Sequence, residues 1–315
     1  MHTDVSPQAL VVYWLARLIA KQMYRIWPLS DRGIRTLALL DTMLGLLPPL
    51  RSIDHSDMEL GSVEVERYLP EATASDRLAG ASVLYLHGGG FTFCGIGTHR
   101  RIAGRLAQTL SVPVYSVLYR QLPDCGVGSA VHDAYAAYRG LLEICPDPDR
   151  VVLAGDSSGA FLAAKICELA AEDGTNTPAA YVGYSAHLNL DVDHRDHDLI
   201  CNDALMPVSA YRRVKSKWTR GPVVVRGARS MLEVDPAVFP PVFLTAGEGE
   251  MFEADIVDFT RILADSGRTV ETHVWRRQVH AFPVLDGLLP ESGAAIRSTG
   301  EFLRKVLAER ESGAA

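Results

Sequence analysis

The sequence predicts an α/β fold with a mostly parallel central sheet and helices on both of its faces. From about residue 63 onward, short apolar runs alternate with alanine-rich helical runs, as in right-handed βαβ crossovers. The stretch 188–236 is polar, charged and rich in helix breakers, so it indicates an excursion from the sheet. Sites on such sheets lie at the carboxyl ends of the strands.

The predicted elements follow in a regular order. An amphipathic helix between Pro7 and Pro28 is followed by a second apolar helix over Ile34–Leu47. Val83–Leu86 is a short apolar run that ends at glycines, as a buried parallel strand does. Helices are then predicted over 100–110, 129–142, 160–171, 252–264 and 302–307, and strands over 112–119, 151–154, 180–184, 242–246 and 270–275.

Composition and charge exclude several classes of protein. The chain has 315 residues, 48% hydrophobic and 22% charged, which argues against disorder, collagen-like repetition and many membrane spans. A net charge of −7 disfavours nucleic acid as a partner. The five cysteines form no Cys-x-x-Cys pair, which favours reduced thiols and a cytoplasmic location. The oligomeric state stays open, and a dimer is one alternative.

The N-terminal helix has two open arrangements. Its unbroken apolar run, residues 9–16, is too short to span a bilayer, and the acidic Asp4 before it disfavours a signal peptide. Arg17, Lys21 and Arg25 recur at i, i+4 and i+8 on one stripe. The helix either packs over the body of the protein, which is favoured, or lies weakly on an anionic membrane surface.

A candidate nucleophile lies in Gly155–Gly159, where the letters are G-D-S-S-G. This G-x-S-x-G pattern directly follows an apolar strand and opens a helix, which is the context of a nucleophile elbow. Only Ser157 has glycines at both −2 and +2, so Ser157 is preferred over Ser158. The alternative is a Gly/Ser turn that merely caps the helix.

A glycine run, His87-Gly88-Gly89-Gly90, follows the strand Val83–Leu86. Consecutive glycines let backbone N–H groups approach an anion closely, as an oxyanion hole requires. A phosphate-binding loop is the rival interpretation, but neither G-x-x-x-x-G-K-[ST] nor G-x-G-x-x-G is present. We expect Gly88, Gly89 and Ser158 to supply the oxyanion donors.

The base and its orienting acid should follow the serine in the order acid, then histidine. His280 comes a few residues after the strand 270–275 and could return over the sheet. Glu250 lies in a loop after the strand 242–246, with Glu248 and Asp255 as competitors. A first-turn helix acid without a catalytic role is the other interpretation of Glu250.

Over residues 80–290 the chain resembles the hormone-sensitive-lipase-like group of α/β-hydrolases, whose members are carboxylesterases. The resemblance rests on the glycine run and Phe91, Tyr119-Arg120, Asp133, the serine elbow, Gly247-x-x-Glu250 and His280-Ala281-Phe282. It implies the α/β-hydrolase fold and favours Glu250 as the acid. It also implies a cap, so we expect cap helices at 1–55, core at 56–187, a cap insertion at 188–236 and core at 237–315.

The resemblance implies hydrolysis of short- to medium-chain carboxylic esters by a Ser157, His280 and Glu250 triad through an acyl-enzyme, without a metal or organic cofactor. An acyltransferase and a catalytically silent ligand-binding member are the alternatives. The chain departs from the family at Ala160, where a second glycine is usual, and at residues 121–124, which read Q-L-P-D. The run Asp191–Asp198 looks like a metal site but lacks the Gly and Glu that a calcium loop requires, so a solvated cap loop is favoured.

Overall fold

The protein is built around one eight-stranded sheet. The computed structural model describes residues 1–46, 50–72, 74, 76, 78–191 and 202–313. The strand order is β1-β2-β4-β3-β5-β6-β7-β8. The bounds are β1 Ile53–Leu60, β2 Val63–Pro70, β3 Ser82–Leu86, β4 Val114–Val117, β5 Val151–Asp156, β6 Ala180–Tyr184, β7 Val242–Gly247 and β8 Val270–Trp275.

The strands β3 to β8 are parallel to one another, whereas β2 is antiparallel to both β1 and β4. The predicted α/β fold with a mostly parallel sheet is therefore confirmed. The β1–β2 hairpin was not predicted. Its first strand, Ile53–Leu60, carries charged and polar side chains along most of its length and is largely exposed at the sheet edge, so it lacks the apolar run that marks a buried strand.

Helices cover the sheet on both faces. Their bounds are α1 Pro7–Leu15, α2 Lys21–Ile26, α3 Asp31–Gly45, α4 Ile96–Leu110, α5 Val127–Ile144, α6 Ser158–Asp173, α7 Val208–Lys215, α8 Glu253–Asp265 and α9 Pro290–Gly313. A π-helical turn, Ala16–Ala20, joins α1 to α2. One apolar core lies between the sheet, α5, α6 and α8, and a second lies between the sheet, α4 and α9.

The N-terminal helix packs on the end of the chain that follows β8. Ala9, Tyr13 and Ala16 are buried in a small apolar cluster with Trp275 and Phe282. The Ser6 backbone N–H and hydroxyl both donate to the Glu291 carboxylate, at 2.7 and 2.9 Å. None of the helices in the described ranges combines the length and the apolarity that crossing a bilayer requires.

The basic stripe expected on this helix faces partly inward. Lys21 is only 6% exposed and its Nζ donates to the main-chain oxygen of Asp203. Arg17 donates to the main-chain oxygen of Asn202 at 3.3 Å. Two members of the stripe therefore bind the segment before α7 instead of presenting their charge freely to solvent.

Candidate active site

The serine elbow is formed where β5 meets α6. Ser157 has φ 50° and ψ −120°, a left-handed backbone conformation that is strained for a residue with a side chain. Glycine is required on both sides because a Cβ at Gly159 would lie 1.9 Å from the Leu86 carbonyl oxygen, and one at Gly155 would lie 2.6 Å from the Gly159 carbonyl carbon. This crowding is the physical reason for the G-x-S-x-G spacing.

The structure brings Ser157, His280 and Glu250 together. His280 follows β8, and its Nε2 lies 2.8 Å from Ser157 Oγ, so the hydroxyl donates to the imidazole when His280 is neutral. Glu250 follows β7, and its Oε2 lies 3.5 Å from His280 Nδ1. All three side chains are buried. The arrangement provides a hydroxyl, a proton acceptor and a carboxylate in one line at the carboxyl ends of the strands.

The charges around His280 favour its protonated form. Burial by itself would lower the pKa of His280, but the nearby Glu250 carboxylate, with Asp203 and Asp156, raises that pKa above the ordinary histidine value. Burial raises the pKa of Glu250, and the contacts with His280 and with the Ser185 hydroxyl act in the opposite direction. The imidazole can therefore accept a proton and be stabilised as a cation.

Of the acids that competed with Glu250 in the sequence, Glu248 is exposed and Asp255 lies in α8 with its side chain buried. The carboxylate that faces His280 Nδ1 is that of Glu250. Asp191 pairs with Arg229 at 2.9 Å. The remainder of the predicted solvated loop, residues 192–198, lies outside the described residues.

Ser185 is a site residue that the sequence analysis missed. Its hydroxyl donates to Glu250 Oε2 at 2.8 Å and accepts the backbone N–H of Ala281 at 2.9 Å. It therefore bridges the loop after β7 that carries Glu250, the acid loop, and the loop after β8 that carries His280, the histidine loop. Ser185 directly follows β6, so its place at the carboxyl end of a central strand was the signal that could have found it.

Asp203 is a second missed residue. It is fully buried, and its Oδ2 accepts the backbone N–H of Met251, the residue after Glu250, at 2.8 Å. Its Oδ1 accepts the N–H groups of Leu205 and Met206, each at 2.7 Å. No local motif marks this residue, because the contact joins segments that are far apart in the sequence.

The glycine loop approaches the elbow, but its three N–H groups differ. Gly88 N–H donates to Asp156 Oδ1 at 3.0 Å, and Gly90 N–H donates to Ser158 Oγ at 3.0 Å. The N–H groups of Gly89 and Ser158 donate to no acceptor among the described residues. The expectation that Gly88 supplies an oxyanion donor is amended, because its N–H is already bound to a carboxylate.

A buried ion pair supports this loop from below. Asp156 accepts from Tyr85 Oη at 2.7 Å, and His99 Nε2 lies 3.2 Å from the same carboxylate. Burial would lower the pKa of His99, yet Asp156 raises it. His99 thus holds the Asp156 carboxylate that binds the Gly88 N–H.

An aromatic cluster joins the α7 region to the residues around Ser157. His187 stacks on Phe252 with ring centroids 4.5 Å apart, and its Nε2 lies 2.8 Å from Tyr211 Oη. Trp218 lies edge-on to Phe91 at 5.7 Å. His187 N–H also donates to the Ser157 carbonyl at 3.1 Å. The segment 208–218 of the predicted cap insertion therefore packs directly beside the elbow.

Comparison with known proteins identifies the family. Residues 83–284 match the family described as the alpha/beta hydrolase fold. The carboxylesterase/phospholipase LipF of Mycobacterium tuberculosis is 32% identical over 307 residues, which cover 89% of this chain and 80% of LipF. The chain belongs to the alpha/beta hydrolase family. An acetyl-hydrolase of Streptomyces hygroscopicus is 31% identical over 234 residues, which cover 74% of this chain and 78% of that protein.

Solved structures of alpha/beta hydrolases agree with this assignment. The crystal structure of an esterase from the bacterial hormone-sensitive lipase family is 26% identical, with a TM-score of 0.81 over 96% of this chain and 99% of that one. EstE5, whose crystal structure is solved, is 21% identical and shares the fold with a TM-score of 0.84, over 96% of this chain and 100% of that one. The resemblance to the hormone-sensitive-lipase-like group of carboxylesterases is confirmed.

Proposed function

We propose that this protein is a serine carboxylesterase that hydrolyses short- to medium-chain carboxylic esters through an acyl-enzyme. Ser157 is the nucleophile, His280 the general base and acid, and Glu250 the residue that orients the imidazole. The observation that carries the proposal is the 2.8 Å contact between Ser157 Oγ and His280 Nε2 on a strained elbow. Its membership of a carboxylesterase group supports the reaction class.

In the first half-reaction, His280 Nε2 takes the Ser157 proton while Oγ forms a bond to the ester carbonyl carbon. The carbonyl oxygen becomes an oxyanion, for which the N–H groups of Gly89 and Ser158 are the donors. Protonated His280 then passes its proton to the leaving alcohol as the carbon–oxygen bond breaks. An acyl group remains on Ser157.

In the second half-reaction, water replaces the alcohol. His280 accepts a proton from the water, whose oxygen attacks the acyl carbon, and returns the proton to Ser157 Oγ as the acid product leaves. Glu250 keeps the Nδ1–H directed towards itself and stabilises the imidazolium in both halves. Apart from the ester and water, these steps use only side chains and backbone groups of this chain.

The preference for shorter acyl groups is supported by the aromatic cluster beside the elbow. Phe91, His187, Trp218 and Phe252 are almost completely buried, and the ring centroids of the other three lie 4.5–6.4 Å from that of His187. Close-packed rings leave little room for a long chain on that side of Ser157. A panel of p-nitrophenyl esters of increasing acyl length should therefore give kcat/KM values that peak among the shorter chains.

The proposal is tested with two neighbouring serines. Ser157→Ala should abolish hydrolysis of p-nitrophenyl esters, because it removes the hydroxyl that contacts His280. Ser158→Ala should retain a substantial fraction of the activity, because its backbone N–H remains and its hydroxyl bonds to Gly90 and Tyr119 and not to His280. An organophosphate should add covalently to Ser157, as mass spectrometry of the digested protein would show. Adduct formation on Ser158, or full activity of Ser157→Ala, would refute the assignment.

A further inference from the structure

Asp203 links the cap to the catalytic acid. Its carboxylate is fully buried and accepts three backbone N–H groups, two from its own turn and one from Met251 on the acid loop. Met251 is the residue after Glu250. The orientation of the acid loop therefore depends on a carboxylate that lies in a different part of the chain.

Asp203 is itself held from the N-terminal helix. Lys21 is buried and its Nζ donates to the main-chain oxygen of Asp203, while Arg17 binds the main-chain oxygen of Asn202. Contacts thus run without interruption from α2 through Asp203 to the acid loop. The cap segment fixes the backbone on which Glu250 stands.

We propose that Asp203 is a positioning residue for ester hydrolysis. Asp203 keeps Glu250 facing His280, and its negative charge adds to that of Glu250 in stabilising the imidazolium. This inference rests on the proposed function. The charged groups that face His280 are Glu250 on the acid loop, Asp156 on the elbow and Asp203 on the cap segment. Asp203 contributes to the raised pKa of His280, and it does so without a direct contact between the two side chains.

The decisive variant is Asp203→Asn. The amide has one acceptor oxygen in place of two, so it cannot satisfy all three N–H groups, and it carries no charge. We expect kcat to fall about tenfold or more, with little change in KM. The acid limb of kcat/KM should move to lower pH by about half a unit or more, because a neutral side chain no longer favours protonated His280.

Asp203→Glu is the second variant, which retains the charge but displaces the oxygens. It should lower kcat and leave the acid limb near its wild-type position. Asp41→Asn is the matched control. Asp41 in α3 also accepts backbone N–H groups from another element, those of Gly97 and Thr98 in α4, but it is not among the charges that raise the pKa of His280. It should leave the acid limb unchanged. Circular dichroism checks that each variant is folded.

The outcomes separate this inference from the proposed function. A wild-type kcat and acid limb in Asp203→Asn would overturn the role of Asp203 and leave the esterase intact. The same loss of kcat in Asp203→Asn and Asp203→Glu, with both acid limbs unshifted, would reduce Asp203 to a structural residue. Hydrolysis that survives Ser157→Ala would instead contradict the proposed function itself.

An independent observation concerns the outer face of the N-terminal helix. Of the nineteen large apolar side chains that are exposed among the described residues, twelve lie between 10 and 46. Over α1, the π-helical turn and α2 they fall at 10–11, 14–15, 18–19, 23 and 26, a helical repeat opposite the buried Tyr13, Ala16 and Lys21. A continuous apolar stripe of this kind marks an interaction surface.

Charge indicates what covers this stripe. Residues 7–46 carry five basic and two acidic side chains, whereas the whole chain carries a net charge of −7. One of the five basic groups is buried and another is ion-paired. Arg25 and Arg32 are exposed on this segment. A second copy docked about a two-fold axis would place like charges together, whereas an anionic lipid surface complements them. Trp14, which is 47% exposed, suits the boundary between lipid headgroups and acyl chains.

We infer that this stripe docks the protein on anionic lipid bilayers. The protein should float with vesicles of phosphatidylcholine and phosphatidylglycerol and bind less to phosphatidylcholine alone. The double variant Leu18→Ser with Ile26→Ser should bind these vesicles at least about tenfold more weakly, because two exposed apolar anchors are lost. Val224→Ser is the matched control, since Val224 is 84% exposed elsewhere, and should bind like the wild type.

Hydrolysis of a water-soluble short ester should be unchanged in both variants, which shows that the fold is retained. Sedimentation without vesicles examines the rival occupant. A dimer that the double variant abolishes, together with no flotation of the wild type, would overturn lipid docking in favour of a second copy. Equal flotation of the wild type and the double variant would also overturn it.

Discussion

The side of the site that carries the proposed nucleophile and the side that carries the proposed acid are built in different ways. Ser157 is fixed by the crossing of β5, α6 and β3, where Gly159 touches the Leu86 carbonyl and the backbone has no room to move. Glu250 stands on a loop whose position depends on the Ser185 hydroxyl and on Asp203 from the segment before α7. The first contact with His280 is 2.8 Å and the second is 3.5 Å.

This difference predicts which property a substitution on each side should change. The nucleophile is held by backbone packing within the core, so changes there affect folding and chemistry together. The acid is held by side-chain hydrogen bonds, so changes there can alter the pKa of His280 and the turnover while the fold survives. We therefore expect the segment before α7, which carries Asp203, to affect turnover through the acid side.

Gly159→Ala should have the largest effect. The new Cβ would lie 1.9 Å from the Leu86 carbonyl oxygen, and β3 cannot shift because β4 and β5 flank it. We expect the free energy of unfolding to fall by about 3 kcal/mol or more, with loss of activity, as urea denaturation would measure. Gly293→Ala is the control, since its nearest contact is the end of the Arg297 side chain at 3.4 Å, and it should be neutral or stabilising. Equal stability of both variants would remove the packing argument.

Glu250→Gln should remove most of the turnover and leave the fold intact. A neutral amide can neither stabilise the imidazolium nor hold the Nδ1–H tautomer, and the corresponding change in a well-studied triad costs about 10⁴ in kcat. Glu248→Gln is the matched control, because Glu248 is exposed and two residues away, and should stay within about twofold of the wild type. Similar mild effects of both changes would show that neither acid orients His280.

The parts of the site that the sequence predicted are those encoded locally. The elbow around Ser157 and the glycine loop are short motifs whose spacing follows from steric contact, and His280 and Glu250 each follow a recognisable strand. The oxyanion donors were harder. Gly88 and Gly89 are equivalent as letters, and only the backbone orientation shows that the first N–H is taken by Asp156.

The parts that could not be predicted depend on contacts between distant segments. Ser185 and Asp203 act on the acid loop across 65 and 48 residues of sequence, and neither lies in a motif. The β1–β2 hairpin was missed because its outer strand is polar. The basic stripe of the N-terminal helix was visible in the sequence, but the burial of Lys21 depends on a carbonyl oxygen of the segment before α7.

The pH dependence gives a smaller but more specific test of the acid side. Neutral His280 is needed to accept the Ser157 proton, so kcat/KM should fall as pH drops through the raised pKa of His280. The midpoint should therefore lie above that of an ordinary histidine. In Glu250→Gln the acid limb of the residual activity should move to lower pH, since the main charge that raises the pKa of His280 is gone. An acid limb that moves to higher pH in this variant would contradict the assigned roles.

Ser185→Ala should have the smallest effect and locate the weak point of the acid side. The hydroxyl makes one bond to Glu250 and one to the Ala281 N–H, and an average hydrogen bond contributes about 1 kcal/mol. We expect kcat to fall about fivefold with KM nearly unchanged, because the bond orients the acid without touching substrate. Ser82→Ala is the matched control, since Ser82 is fully buried and its hydroxyl has no partner among the described residues. If both alanine variants turn over like the wild type, Glu250 needs no help from Ser185, and the acid loop is held by Asp203 alone.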